Sequence, residues 1–129
     1  MKKIYNLAIL VFIITSFSAC SISNNVSKND NTRYLSDING MTLYTFDKDK
    51  KNKSNCYNGC EIKWPVFYGD SSKLKLPNGF KQSDFGTIIR DNGAKQSTYK
   101  SMPLYYFFKD NKPKDKKGDG IKGVWHIIK

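Results

Sequence analysis

Histidine is nearly absent from this chain of 129 residues, and His126 is its sole representative. A hydrolase triad needs a base, most often histidine, to activate its nucleophile. One imidazole beside Trp125, with no Gly-x-Ser-x-Gly elbow anywhere, does not make such a set. The same scarcity denies the chain a zinc site with recognisable ligand spacing, because the pair Cys56 and Cys60 lies 66 residues away. Cysteine is limited to Cys20, Cys56 and Cys60. No Cys-x-x-Cys or Cys-x-x-Cys-His motif occurs, which removes the usual thiol-disulfide catalyst and the covalent haem attachment site. Acidic residues are also short, 11 against 22 basic ones, for a formal charge of +11. No nucleic-acid module is recognisable, and the lysines are spread through loops, so a solvated basic surface is expected and nucleic acid is not. The balance points away from an enzyme and implies no cofactor.

What is present begins with a targeting segment at residues 1–19. Lys2 and Lys3 give a positive start, Leu7 to Ile14 form an unbroken apolar core, and Ser18 and Ala19 lead to Cys20. That run is too short for a spanning helix, which takes about 20 apolar residues. Phe17-Ser18-Ala19-Cys20 resembles a lipobox, with Phe17 where leucine is usual. Cleavage before Cys20 and its acylation would anchor the chain to a membrane of the cell envelope. Several acyl chains at one site hold durably, since each buried methylene adds about 0.8 kcal/mol. Ser21 resembles an outer-membrane sorting signal, which implies the periplasmic side of the outer membrane where a cell has two. Loss of Lys2 and Lys3 takes the charge from +11 to +9 (11 − 2). Residues 20–32, rich in Ser, Asn, Asp and Lys, read as the acylated cysteine and a tether. With Cys20 lipidated, Cys56 and Cys60 remain to form a disulfide, as nearby cysteines do in an oxidising compartment.

Residues 33–129 alternate aromatic and aliphatic runs with turn signals, the texture of a small β-rich domain. They also repeat. Shifted by 61 positions, Gly40–Phe67 falls on Ser101–Ile128 without a gap, with ten of 28 positions identical. The shift brings Tyr44, Phe46, Asp49 and Trp64 onto Tyr105, Phe107, Asp110 and Trp125. Repeat 1 covers about 34–70 and repeat 2 about 95–129. Each is expected to open with a strand. In the second, Leu104, Tyr106 and Phe108 face one way while Tyr105 and Phe107 face the other; in the first, Tyr44 and Phe46 share a face. The expected fold is one mainly antiparallel β domain built from two pseudo-symmetric repeats. A short helical turn is expected near Asn58–Trp64, with Asn58 as its cap and Pro65 beyond its end. Between the repeats, Asp91-Asn92-Gly93-Ala94 separates two β-like runs and predicts a hairpin.

Several residues invite a chemical reading and a structural one. Asp49 and Asp110 could act as paired carboxylates, but duplication favours each closing the turn after its own strand. Met41, Met102 and His126 are weak candidates for haem or copper; packing is the simpler account of the two methionines. Phe46, Phe107, Trp64 and Trp125 suit a core, because a domain this small with few Leu and Val must bury aromatics. Some tyrosines would then remain at the rim.

The motif set resembles a family of short bacterial secreted repeats and predicted lipoproteins, known for a Tyr-x-aromatic-x-x-Asp motif. Gly40, Leu43, Tyr44, Phe46, Asp49, Cys56, Cys60, Trp64 and Pro65 match its first repeat, with Val66 in place of a second proline. Gln96, Thr98, Tyr99, Pro103, Leu104, Tyr105, Phe107, Asp110, Gly118, Gly120 and Trp125 match its second. The resemblance covers nearly all of Tyr34–Ile128 and implies little about activity. The role expected is an envelope-anchored, non-enzymatic module that binds an envelope protein or glycan or supports the envelope. The alternative is an accessory to envelope electron transfer or to haem or copper handling.

Overall fold

The computed structural model describes residues 33–74 and 76–129; the expected signal segment, Cys20 and its tether lie outside them. The named elements are β1 (Tyr44–Phe46), α1 (Gly59–Lys63), β2 (Phe85–Ile89), β3 (Lys95–Tyr99), β4 (Met102–Pro103) and β5 (Trp125–Ile127), with three short 3-10 turns. They make two small antiparallel sheets, β1-β5 and β2-β3-β4. This is the mainly β, two-repeat architecture expected from the sequence.

The strands are short because their partners change every residue or two. Residues 102–108 show this best. Pro103 has no amide to offer a ladder. Leu104 N–H then donates to Ser97 (3.0 Å), Tyr105 N–H to Tyr44 (3.0 Å), Tyr106 N–H to Pro65 (2.7 Å) and Phe108 N–H to Lys63 (3.0 Å). The second copy's opening strand is therefore divided among three neighbours, and only Met102–Pro103 belongs to a regular sheet. Alternation survives the division as far as Phe107, whereas Phe108 does not join the face of Leu104: it is exposed and lines the same groove as Phe107. Tyr105 and Phe107 join one apolar cluster with Tyr44, Phe46, Trp64 and Trp125, while Leu104 joins another with Leu35, Leu43, Phe67 and Tyr99.

The pairing is exchanged between the copies. β5, the end of copy 2, lies on β1 at the start of copy 1, with Tyr44 opposite Ile127 and Phe46 opposite Trp125. The pseudo-equivalent end of copy 1 lies on the start of copy 2, where Val66 bridges Tyr105. Tyr44 and Tyr105 meet at the centre, each donating its amide to the other's carbonyl (2.9 and 3.0 Å). Neither copy can complete its own strand pairing; each supplies the closing segment of the other.

The inter-repeat hairpin forms as the Asn-Gly signal predicts. β2 and β3 pair from Phe85 opposite Tyr99 to Ile89 opposite Lys95. Gly93 takes the left-handed conformation the turn requires (φ 83°). The helical turn also forms, but Asn58 does not cap it as expected. Asn58 sits at φ 54° and its side chain makes no cap hydrogen bond. The first turn is held instead by the Cys56–Cys60 disulfide, which brings the two Cα atoms to 5.2 Å.

Candidate functional site

The repeated motif residues converge on the pseudo-two-fold centre. Phe46, Trp125, Trp64 and Phe107 stack in that order, so that residues from the two copies alternate along a column. Phe46 lies on Trp125 (centroids 4.2 Å, planes 10° apart), Trp125 on Trp64 (3.7 Å, 3°) and Trp64 on Phe107 (4.4 Å, 33°). Tyr44 meets Trp64 edge-on at 5.4 Å, and Tyr105 meets Trp125 edge-on at 5.2 Å. The two tyrosines are not rim residues; both are fully buried.

A buried phenol needs a hydrogen-bond partner. Tyr44 donates to Asp110 Oδ2 (2.5 Å) and Tyr105 to Asp49 Oδ2 (2.6 Å), each reaching into the other copy. The second carboxylate oxygen stays in its own copy: Asp49 Oδ1 accepts the Asn55 amide (2.6 Å) and Asp110 Oδ1 the Lys117 amide (3.0 Å). Each aspartate thus closes its own turn and also fastens that turn to the opposite repeat. Burial pushes the Asp49 carboxyl above its ordinary range, against the opposing pull of Tyr105, Asn55 and Arg90. Asp49→Asn and Asp110→Asn should each lower stability by about 1–3 kcal/mol, because an amide offers one acceptor to two donors and turns its NH2 toward the other. Denaturant melts check this; a variant as stable as wild type would remove the crossed pair from the fold's support.

Behind Tyr105 lies a polar network that sequence reasoning missed. Tyr105 Oη pairs with Ser54 Oγ (2.7 Å), to which Arg90 donates from Nη1 (2.8 Å). Arg90 also donates to Gln96 Oε1 (2.6 Å), the Cys56 carbonyl (2.6 Å) and Glu61 Oε2 (3.2 Å), and lies 4.4 Å over the Tyr57 ring. Its side chain is fully buried. One signal was available: Arg33 and Arg90 are the sole arginines among many lysines. A planar five-donor fork is worth having where several fixed acceptors must be met at once.

One side of the aromatic column opens into a groove of about 520 Å3. Phe46, Trp64, Phe107 and Trp125 contribute to its wall, with Cys60, Ile121 and Val124 beside them and Phe108 at its margin. Its basic lining residues are Lys48, Lys63, Lys109 and Lys122, and among the described residues no carboxylate lines it. Lys48 and Lys109 are equivalent by the 61-residue shift, as are the two Phe and the two Trp, so the groove straddles the pseudo-two-fold centre. Gly118 packs the far side: a Cβ there would fall 2.8 Å from the Trp64 ring, and its amide donates to Tyr44 Oη (3.2 Å).

The weak metal candidates are placed apart. Met102 is on β4 opposite Tyr99, and His126 is on β5 opposite Thr45. Met41 donates its amide to Asp37, and His126 Nε2 contacts Asp47 Oδ2 at 2.8 Å. Among the described residues, no group of three or more His, Cys, Asp or Glu side chains could hold a metal ion. No described helix is long and apolar enough to cross a membrane.

Comparison with known proteins agrees with the duplicated architecture. No curated protein and no solved structure matches the chain. A family model described as a secreted repeat of unknown function matches twice, over residues 27–68 and 86–129. Those two segments hold both arms of the exchanged pairing and every ring of the column, and the chain belongs to that family of secreted repeats.

Proposed function

We propose that this protein is a membrane-anchored, non-enzymatic binding module of the cell envelope, with its ligand seated in the groove beside the aromatic column. The groove is the observation that carries this reading. Its volume falls within the roughly 300–1,000 Å3 typical of small-molecule sites, and its apolar lining with a few charged groups is the usual composition. The carboxylates offer little to a reaction, since Asp49 and Asp110 are buried behind the column with both oxygens committed to structural donors. Phe17-Ser18-Ala19-Cys20 supports acylation at Cys20.

Two measurements test the reading. Cys20→Ala should abolish acylation and release the protein from membranes; a wild-type protein that is extracted by aqueous buffer and carries an unmodified N-terminus would overturn the anchor. For the groove, Gly59→Trp should fill the site at little structural cost, because a Cβ at Gly59 meets nothing within 4 Å. Native mass spectrometry of protein purified from envelopes should find a non-covalent small molecule on wild type that the filled variant has lost. A molecule retained by both variants would place binding elsewhere.

A second reading, an accessory to envelope electron transfer or to haem or copper handling, draws on the same column. Four rings in contact, flanked by two phenols donating to carboxylates, would suit passage of an electron with local movement of a proton. Among the described residues, the groove lining supplies neither imidazole nor thioether to a metal. A ligand-dependent visible band on titration with haem or copper would favour this reading over the first.

A further inference from the structure

We infer that the groove selects a small anionic ligand bearing a flat ring. The inference rests on the groove being the binding site and deepens that reading. It follows from which parts of the aromatic side chains remain available. In the column, Trp125 has Phe46 on one face and Trp64 on the other, while Trp64 has Trp125 and Phe107. With both faces covered, the indoles can offer a ligand only their edges. Aromatic edges carry the positive part of the ring quadrupole and pack against the negative face of another ring.

The charged lining has the same sign. Lys48, Lys63, Lys109 and Lys122 are exposed, and among the described residues no carboxylate pairs with any of them. The carboxylates close to them in sequence are engaged: Asp47 with His126, Glu61 with Arg90, and Asp119 with the Ile127 amide. Ring edges in the wall and ammonium groups around it together favour a ligand that joins a π face to a sulfonate, carboxylate or phosphate. A neutral apolar ligand would leave the lysines unused, and a cation would be repelled.

The probes are anilinonaphthalene sulfonate and phenylnaphthylamine, which share their rings and differ in the sulfonate. The full acylated chain is placed in phosphatidylcholine nanodiscs and titrated by dye fluorescence, with Gly59→Trp and Ile121→Trp in identical discs as groove-filled references. Wild type should bind the anionic dye above both references. Lys48→Gln/Lys109→Gln should weaken that dye by about fivefold while leaving the neutral one unchanged, and added salt should narrow the difference. Thermal melts of each variant confirm the fold. If the neutral dye binds in the groove and the lysine variant treats both dyes alike, the anionic class is wrong and the groove survives as a site. If neither dye distinguishes wild type from both folded, groove-filled references, the inference and the binding reading fall together.

Discussion

Trp64→Ala and Trp125→Ala should each remove about 3–5 kcal/mol of stability, a large part of the roughly 5–15 kcal/mol that holds an ordinary domain together. Each indole is buried, contacts rings on both faces and meets a tyrosine edge-on. Truncation would leave a void between rigid rings contributed by opposite copies, where collapse on one side opens a gap on the other. The double variant should lose less than the sum of the singles, since the contact between the two indoles can be lost only once. Trp125→Phe should recover part of the loss, because a six-membered ring can still lie flat between Phe46 and Trp64. Denaturant melts followed by circular dichroism give all four values. Single losses below about 1 kcal/mol would mean that the column decorates the fold instead of supporting it.

The exchange of closing segments explains why damage in either repeat should be felt by both. Phe46 belongs to copy 1 and stacks on copy 2's Trp125; Phe107 belongs to copy 2 and lies against copy 1's Trp64. The crossed phenol–carboxylate bonds repeat that pattern in polar form. A binding groove that straddles the centre is therefore built from both copies, and filling or charging it should not depend on one repeat alone.

Much of this was legible in the sequence, and the limits have physical causes. The repeat, the hairpin at Asn92-Gly93, the helical turn and the shared face of Tyr44 and Phe46 all follow from local spacing and turn chemistry. The crossing does not. A turn-closing aspartate has the same spacing whether its second oxygen meets water or a phenol 56 or 66 residues away. Asn58 differs for a related reason: a capping residue normally takes an extended backbone, whereas Asn58, between the two linked cysteines, sits at φ 54°. Arg90 ends a β-like run before a turn, a place that says nothing of what its guanidinium meets. Its acceptors come from separate segments, Ser54, the Cys56 carbonyl, Glu61 and Gln96, and only the folded chain assembles them. The groove was hidden in the same way, although Lys48 and Lys109 did stand at equivalent places in the repeat.

Alkaline titration should unfold the domain unusually steeply, and Tyr44 and Tyr105 should be the cause. Burial, the largest influence, pushes both phenols well above the ordinary value near 10, and the carboxylate that each one faces pushes further in the same direction. In the unfolded chain they ionise near pH 10; in the folded one they keep their protons to much higher pH. Between those limits the native state binds more protons than the unfolded state, so stability falls as pH rises. The contribution of each phenol is fully present below pH 10 and declines at about 1.4 kcal/mol per pH unit above it, roughly 3 kcal/mol per unit for the pair. At that slope a domain with about 5 kcal/mol of stability would be exhausted by about pH 12, and a more stable one later. Tyr106, half-buried and bonded to Asp37, is raised in the same direction and adds its own part to the slope of every variant. Lysines also lose charge in this range, but equally in every variant, so comparison between variants removes their part. Tyr44→Phe/Tyr105→Phe should be less stable than wild type at neutral pH, having orphaned two buried carboxylate oxygens, yet clearly flatter above pH 10. Urea melts from pH 8 to 11 would measure both slopes. Parallel slopes would show that the two phenols titrate freely in the folded protein, and the crossed hydrogen bonds at the centre of the repeat would lose their energetic meaning.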